Sequence, residues 1–291
     1  MTPNKLIHRL TQLERLNFLL TNRIPRRWAT LFMGWFSRLR HPLVRRPSLF
    51  VWQLFAGDLR LEEARKDRFE SMQDCFTREL KPGARPVDDR PGNLVSPCDG
   101  VVGAHGAVRG TEVFQAKGYP YSLAELLGDD GLAERYRDGV FATLRLRASM
   151  YHRFHAPDGC RVTGVRYIPG DVWNVNPIAL RRVDRLFCRN ERAVLELELN
   201  RGGPAVVLVP VAAILVASLR LHCLADTLDL RYRGPHWRTC SAEYARGQEM
   251  GYFQQGSTII VLAEPGYRLA GNVAEGAVLR MGEPLLVRPE G

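Results

Sequence analysis

Three short segments set polar side chains in apolar surroundings, and between them they supply an acid, two imidazoles and a hydroxyl. The first, Ser96-Pro97-Cys98-Asp99-Gly100, puts an acid in a tight turn just before the apolar pair Val101-Val102. Standing alone it reads as a plain Pro/Asp/Gly turn. The second, Tyr151-His152-Arg153-Phe154-His155-Ala156-Pro157, carries two of the 7 histidines at the end of a predicted strand. Histidine can hold or return a proton near neutral pH, but the pair also reads as a surface cluster or half of a metal site. A metal needs further ligands, and no partner cluster is obvious. The three-residue step points the two rings to opposite faces of a strand, so both reach one site only if the chain bends at Phe154–Pro157. The third segment, Gly251-Tyr252-Phe253-Gln254-Gln255-Gly256-Ser257-Thr258, runs into the apolar stretch Ile259-Ile260-Val261-Leu262. By itself Gly-Ser-Thr is a common turn.

The elements that must position these segments are mostly strands. Val140, Ala142, Leu144 and Leu146 alternate with Phe141, Thr143, Arg145 and Arg147, and Ala193, Leu195, Leu197 and Leu199 with Val194, Glu196 and Glu198. That period of two predicts half-buried strands. Ala205–Val209, Leu228–Tyr232, Thr258–Ala263 and Leu285–Arg288 are further strand candidates. The longest uncharged run, Ala205–Leu219, is broken by Pro210 and is shorter than the roughly 18–20 residues a spanning helix needs. It predicts two buried strands joined at the proline. Ser122 with Glu125 forms a capping-box pattern and Gly128 a stop, which predicts a short helix between them. Residues 58–80 predict another helix, and the Pro/Gly-rich stretch Lys81–Asn93 marks a boundary. The expected fold class is α+β: a helical region over 1–80 and a β-rich core over 81–291.

With 291 residues, 45% hydrophobic and 25% charged, the chain is globular, of one or two domains, and not disordered or collagen-like. Its six cysteines (Cys75, Cys98, Cys160, Cys188, Cys223, Cys240) form no CxxC pair and read as reduced thiols. Of the formal charge of +10, most sits in the leader: Lys5, Arg9, Arg15, Arg23, Arg26, Arg27, Arg38, Arg40, Arg45 and Arg46 face a single acid, Glu14, within residues 1–46. Leu6, Leu10, Leu13, Leu16 and Leu20 form one helical stripe. Trp28, Leu31, Phe32, Trp35, Phe36 and Leu39 form a second, opposed by Arg27, Thr30, Gly34, Ser37 and Arg38. Aromatic rings on one side and guanidinium groups on the other suit the headgroup boundary of an anionic membrane. A helix docked on its own body is the competing reading. Nucleic acid comes last, because the basic residues flank an apolar stripe and form no polar groove.

The ordered set of motifs resembles the phosphatidylserine decarboxylases, pyruvoyl-dependent lipid enzymes, in their bacterial form with a Leu-Gly-Ser-Thr processing site. The resemblance is carried by Ser96–Gly100, Ala116-Lys117-Gly118 with Tyr121–Gly128, Tyr151–Pro157, Tyr167–Pro177 (YIPGDVWNVNP), Phe187–Arg192 (FCRNER) and Gly247–Thr258. Gln255 stands where the family has leucine, and Cys98 where a small apolar residue is common; neither removes a reacting group.

The resemblance implies a self-cleaving precursor. The Ser257 hydroxyl would attack the Gly256 carbonyl, with His155 as general base and Asp99 orienting its imidazole, the Asp/His/Ser logic of hydrolases applied in cis. β-Elimination of the resulting ester leaves a dehydroalanine, whose tautomer loses ammonia to give a pyruvoyl group derived from Ser257. The pieces would be a β chain of residues 1–256 and an α chain of residues 257–291. No metal and no pyridoxal phosphate is implied. The substrate amine would form a Schiff base with the pyruvoyl carbonyl, which takes up the electrons released as CO2 leaves. His152 would hold the carboxylate or return the proton, a task His155 could share. Phosphatidylserine in an anionic membrane, pairing of αβ units into a homodimer, no nucleic acid, and a peripheral place on the cytoplasmic side of the cell membrane complete the expectation. Rival readings are an Asp/His/Ser lipid hydrolase, which lacks its Gly-x-Ser-x-Gly elbow here, a noncatalytic membrane-docking protein, and a soluble pyruvoyl amino-acid decarboxylase with no need of the leader.

Overall fold

The computed structural model describes residue 18 and residues 22–115, 120–215, 218–254 and 257–288. The Leu6–Leu20 stripe, Ala116-Lys117-Gly118 and the Gln255-Gly256 pair lie outside the described residues.

The apolar runs become the middle of an eight-stranded antiparallel sheet. Its order is Trp237–Tyr244, Cys160–Ile168, Arg192–Leu199, Val206–Ala212, Ser257–Ala263, Val140–Arg145, Gly100–Ala107 and Val278–Leu279. A four-stranded sheet, Thr227–Asp229, Ser218–Leu221, Glu249–Phe253 and Arg153–His155, carries the histidine segment. Leu219, Leu228, Phe154 and Phe253 of this smaller sheet share one core with Leu144, Leu195, Leu208 and Ile259. The opposite face of the large sheet is covered by the short helices, through Leu123, Leu126, Leu127, Tyr136 and Phe187.

Because both faces are covered, Val140–Arg145 and Ser257–Ala263 are buried nearly throughout, and the half-buried expectation for the first is corrected. Pro210 does not separate two strands: Val206–Ala212 runs straight through it, with Pro210 opposite Ile259. The missing N–H is accommodated on the other side, where the ladder to Arg192–Leu199 skips Ala193 and Val194. The Ser122–Gly128 expectation holds. Ser122 accepts the Ala124 N–H, and Gly128 closes the Leu123–Leu127 helix with φ +67°.

The front end departs from expectation. Residues 58–80 form a 3-10 turn, Leu61–Glu63, and a five-residue helix, Met72–Phe76, because tertiary pairing wins over helix propensity. Ala64 bridges to Leu80, and the N–H groups of Arg65 and Lys81 donate to Glu79 and Glu63. A helix not expected from the sequence spans Pro42–Ala56, with proline in its first turn and Pro47 inside. It buries Trp52 against Phe76, ring centroids 5.5 Å apart.

The Arg26–Phe36 helix is docked with its sides reversed. Thr30 and Ser37 are buried against the body, and Thr30 Oγ1 accepts the Leu215 N–H at 2.9 Å. The Arg26 guanidinium pairs with Asp171 and lies 3.6 Å from the Trp173 ring centroid. Trp28, Phe32 and Trp35 point away from the body and are 77%, 58% and 59% exposed. On the next helix Leu43, Phe50, Leu54 and Phe55 are exposed as well. No helix among the described residues is long and apolar enough to cross a membrane.

Candidate active site

Strand direction gathers the three chemical segments. Gly100–Ala107 and Ser257–Ala263 flank Val140–Arg145, each antiparallel to it, and therefore run the same way. The Asp99 turn and Ser257 thus enter the sheet at the same end. The histidine segment is tied to that end by backbone bonds. His155 N–H donates to Pro97 at 2.8 Å, Val95 N–H donates to Pro157, and Phe253 N–H donates to His152 at 3.0 Å. His155 also pairs with Glu249 on the strand that leads into Ser257. Gly251 on that strand has no space for a side chain: a Cβ there would lie 2.3 Å from the Arg220 carbonyl oxygen and 2.9 Å from the Phe154 ring.

Ser257 is wholly buried and its hydroxyl has no protein partner, an unusual state for a polar group. Its carbonyl accepts the Leu146 N–H at 2.9 Å, so the backbone is held while the hydroxyl is not.

His155 is buried between two partners. Its Nδ1 lies 2.9 Å from the Gly247 carbonyl oxygen, and its Nε2 lies 3.0 Å from the Tyr151 hydroxyl. A carbonyl can only accept, so Nδ1 carries the proton and Nε2 accepts from the hydroxyl. Burial lowers the imidazole pKa, opposed by the Gly247 bond and by the nearby charges of Glu249 and Asp99. The ring is therefore a neutral base.

Asp99 is held elsewhere. The Arg85 guanidinium grips its carboxylate at two points, 2.8 and 2.6 Å, and the Met281 N–H adds a third bond at 2.9 Å. The hydrogen bond from His155 Nδ1 goes to Gly247, not to Asp99. The carboxylate reaches the imidazole only through its field. Burial works against the Arg85 charge, but Asp99 and Glu63 outweigh it and hold the guanidinium pKa high.

His152 faces away from this pair. Its Nδ1 bonds the Met150 carbonyl at 2.7 Å, its ring lies 3.9 Å from the Phe76 ring, and its buried Nε2 has no partner. Burial lowers its pKa to about 3. The structure therefore does not bring the two imidazoles onto one partner.

A cleft of about 280 Å3 opens beside His155 and Tyr151, with Lys81, Arg85, Glu79 and Glu249 along its walls. Arg85 and Tyr151 were not singled out from the sequence. Arg85 sits in a Pro/Gly-rich loop that signals only a boundary, and Tyr151 lies within the histidine motif without a residue-type cue of its own. Among the described residues no group of three His, Cys, Asp or Glu side chains is gathered that could hold a metal.

The phosphatidylserine decarboxylase family model matches residues 72–287, which include Asp99, His152, His155 and Ser257. The chain belongs to the phosphatidylserine decarboxylase family. Among its relatives, the phosphatidylserine decarboxylase proenzyme of Methylibium petroleiphilum is 37% identical over 286 residues, 95% of this chain and 99% of the relative. Those of Anaeromyxobacter sp. and Chromobacterium violaceum are each 40% identical, over 75% of this chain and 79% and 78% of theirs. Membership makes the chain a decarboxylase, a lyase of phospholipid biosynthesis in a pyruvoyl-dependent, self-processing family.

Proposed function

We propose that this chain cuts itself between Gly256 and Ser257 and then decarboxylates the serine headgroup of phosphatidylserine at a membrane surface. The observation that carries the reading is the Ser257 hydroxyl: wholly buried, without a protein partner, and at the sheet end where the Asp99 and His155 segments meet. That unspent hydroxyl also fits conversion of this residue into a pyruvoyl group.

In this reading the Ser257 hydroxyl attacks the Gly256 carbonyl and His155 Nε2 takes its proton, exchanging the Tyr151 hydroxyl for that of Ser257. Gly247 fixes the tautomer that leaves Nε2 free to accept. Asp99, clamped by Arg85 and Met281, favours the imidazolium that forms through its charge. After the cut, Ser257–Ala263 stays in the middle of the large sheet between two neighbours, and Pro284–Val287 between Leu94–Val95 and Arg268–Leu269. Such pairing keeps the segment from Ser257 to Val287 in place.

The pyruvoyl carbonyl supplies an electron sink for the bond that breaks as CO2 leaves. Lys81 on the cleft wall suits the phosphate of the headgroup, while Arg85 beside it is held by Asp99 and Glu63 and shapes the wall. His152, with its Nε2 unspent, is assigned the relay of the proton that replaces CO2: the neutral ring takes that proton up at Nε2 and hands it on, and does not store it. The outward aromatic face of Arg26–Phe36 and its neighbour seat the protein on the bilayer that holds the substrate, a peripheral placement.

The test is the intact mass of the purified chain beside a Ser257→Ala control. A fragment of residues 257–291 lighter by one ammonia than its free-serine form supports the reading. A single 32.9 kDa species in both samples overturns it.

A further inference from the structure

The self-cleavage proposed above consumes one water. The acyl shift and elimination release the Gly256 carboxyl group and leave CH2=C(NH2)–CO– at position 257. Its tautomer CH3–C(=NH)–CO– must add H2O and expel NH3 to become CH3–CO–CO–. Yet Ser257 is 0% exposed, so a bulk solvent molecule has no direct approach to it.

Cross-strand register shows where that water can be held. Arg192 pairs with Val211, and Val211 with Thr258. One step along, the Ala212 N–H donates to Glu191 at 2.8 Å, and Ala212 pairs with Ser257. Glu191, Ala212 and Ser257 thus form one row across three neighbouring chain segments, and side chains in one row share a face. Two strand spacings, about 10 Å, separate the ends of the row. The Ala212 methyl lies between them in the row.

That face carries an internal chamber bounded by Glu191, Ala212, Ser218, Tyr167 and Phe253. It leaves about 10 Å3 for a water centre, room for a single water molecule. Two of its polar atoms are buried with no protein partner, Glu191 Oε2 and Ser218 Oγ. The other carboxyl oxygen of Glu191 is fixed by the Tyr167 hydroxyl at 2.8 Å. Ser218 is tied to the processing segment, since its carbonyl accepts the Gln254 N–H.

We propose that Glu191 and Ser218 hold a water in this chamber and that Glu191 positions and activates it for hydrolysis of the residue 257 imine. The inference rests on the self-cleavage reading. Glu191 takes one proton from the water as its oxygen adds to the imine carbon and passes it to the nitrogen. It then takes the hydroxyl proton of the carbinolamine and passes it to the same nitrogen as ammonia leaves. Burial pushes the Glu191 carboxyl pKa up to about 7, which suits a group that must both take and give a proton. Peptide-bond cutting itself uses no water and is spared when Glu191 is changed.

The test uses freshly synthesised full-length chain, quenched at intervals with borohydride under native conditions, followed by N-terminal sequencing of the small fragment. Borohydride turns the finished keto group into a lactoyl cap, which blocks sequencing, and turns a waiting imine into alanine, which does not. Wild type is expected to give a blocked fragment. Glu191→Gln is expected to be cut at the wild-type rate but to read alanine, with hydrolysis slowed roughly a hundredfold, the lower range for loss of a general acid–base group. Ser218→Ala is expected to show a smaller lag, and it decides the matter should Glu191→Gln not fold. Fragments of the folded variants as fully blocked as wild type at every time, or a folded Glu191→Gln chain that stays uncut, would overturn the proposal. A wild-type chain that is never cut removes the self-cleavage reading instead, so the two failures are distinguishable.

Discussion

Arg85 and Asp99 face each other fork to carboxylate, Nε to Oδ1 at 2.8 Å and Nη2 to Oδ2 at 2.6 Å, with side chains only 4% and 9% exposed. The same guanidinium reaches Glu63 at 2.8 Å. One cation therefore joins the front segment to the turn that opens the site. Breaking a buried pair from one side strands a charge. Arg85→Met is expected to lower stability by about 3–5 kcal/mol, read as a fall in the urea midpoint. Arg85→Lys should recover only part of it, because a point charge cannot grip two oxygens. An unchanged midpoint for Arg85→Met would show that the pair contributes nothing.

Two variants expected to stay uncut should differ in stability. Ser257→Ala removes a buried hydroxyl with no protein partner, so its unfolding free energy should match or slightly exceed that of uncut wild-type chain. His155→Ala gives up the bonds to Tyr151 and Gly247, which should cost about 1–3 kcal/mol. Equal urea midpoints would contradict the difference in partnering, and a cut, inactive His155→Ala chain would remove its assignment as base.

His152 predicts a definite pH response. Its folded pKa lies near 3, against an ordinary value of 6.5, because burial disfavours the charged ring. The unfolded state therefore binds the extra proton first as pH falls. This contribution to stability is intact above about pH 6.5 and is lost progressively down to about pH 3, by up to several kcal/mol. His152→Gln should flatten the acid limb of a stability–pH curve over that window. The same residue separates the two reactions: His152→Ala should still be cut but should not release CO2 from phosphatidylserine.

Membrane seating is expected to depend on the outward face and not on the fold. Replacing Trp28, Phe32 and Trp35 with serine should leave the melting temperature nearly unchanged, since these rings are largely exposed. Vesicle binding should fall by about 1–2 kcal/mol per ring. High salt, or neutralising Arg27 and Arg40, should weaken binding to anionic vesicles. Arg26 and Arg38 serve that test less well, because Arg26 forms a part-buried pair with Asp171 and Arg38 bonds both Gln73 and Gln254. Arg27, by contrast, reaches the Gly170 carbonyl in an exposed bond of 3.3 Å, and the Arg40–Glu70 pair is exposed on both sides. Sedimentation with anionic and with zwitterionic vesicles measures both effects, and equal binding to the two would remove the electrostatic part.

Much of the site was legible because its chemistry is written in residue types close together in the chain. Asp99 in its turn, the histidine pair and the Gly-Ser-Thr segment can be read off directly, as can the strand that follows Ser257. The Ser122 cap and Gly128 stop depend on residues a few positions apart and were equally readable. The 58–80 segment was not, because its apolar spacing fits a helix while backbone bonds that interrupt it go to distant residues, as from Arg65 to Glu79 and from Gln73 to Ser37. The Arg26–Phe36 stripe was legible as amphipathic, but its orientation was not: periodicity is the same whether a stripe faces inward or outward.

From its sequence alone this chain has its motifs, their order and the strands and short helix that carry them, because periodicity, caps and turns depend on neighbours along the backbone. Only tertiary structure decided that Asp99 belongs to Arg85, that His155 bonds Gly247 and Tyr151, and that Glu191 shares a row with Ser257. Those partners come from different strands, turns and loops, so strand order and register choose them. A buried charge or hydroxyl takes its chemistry from whichever groups the fold places within hydrogen-bond reach, and no local pattern encodes that choice.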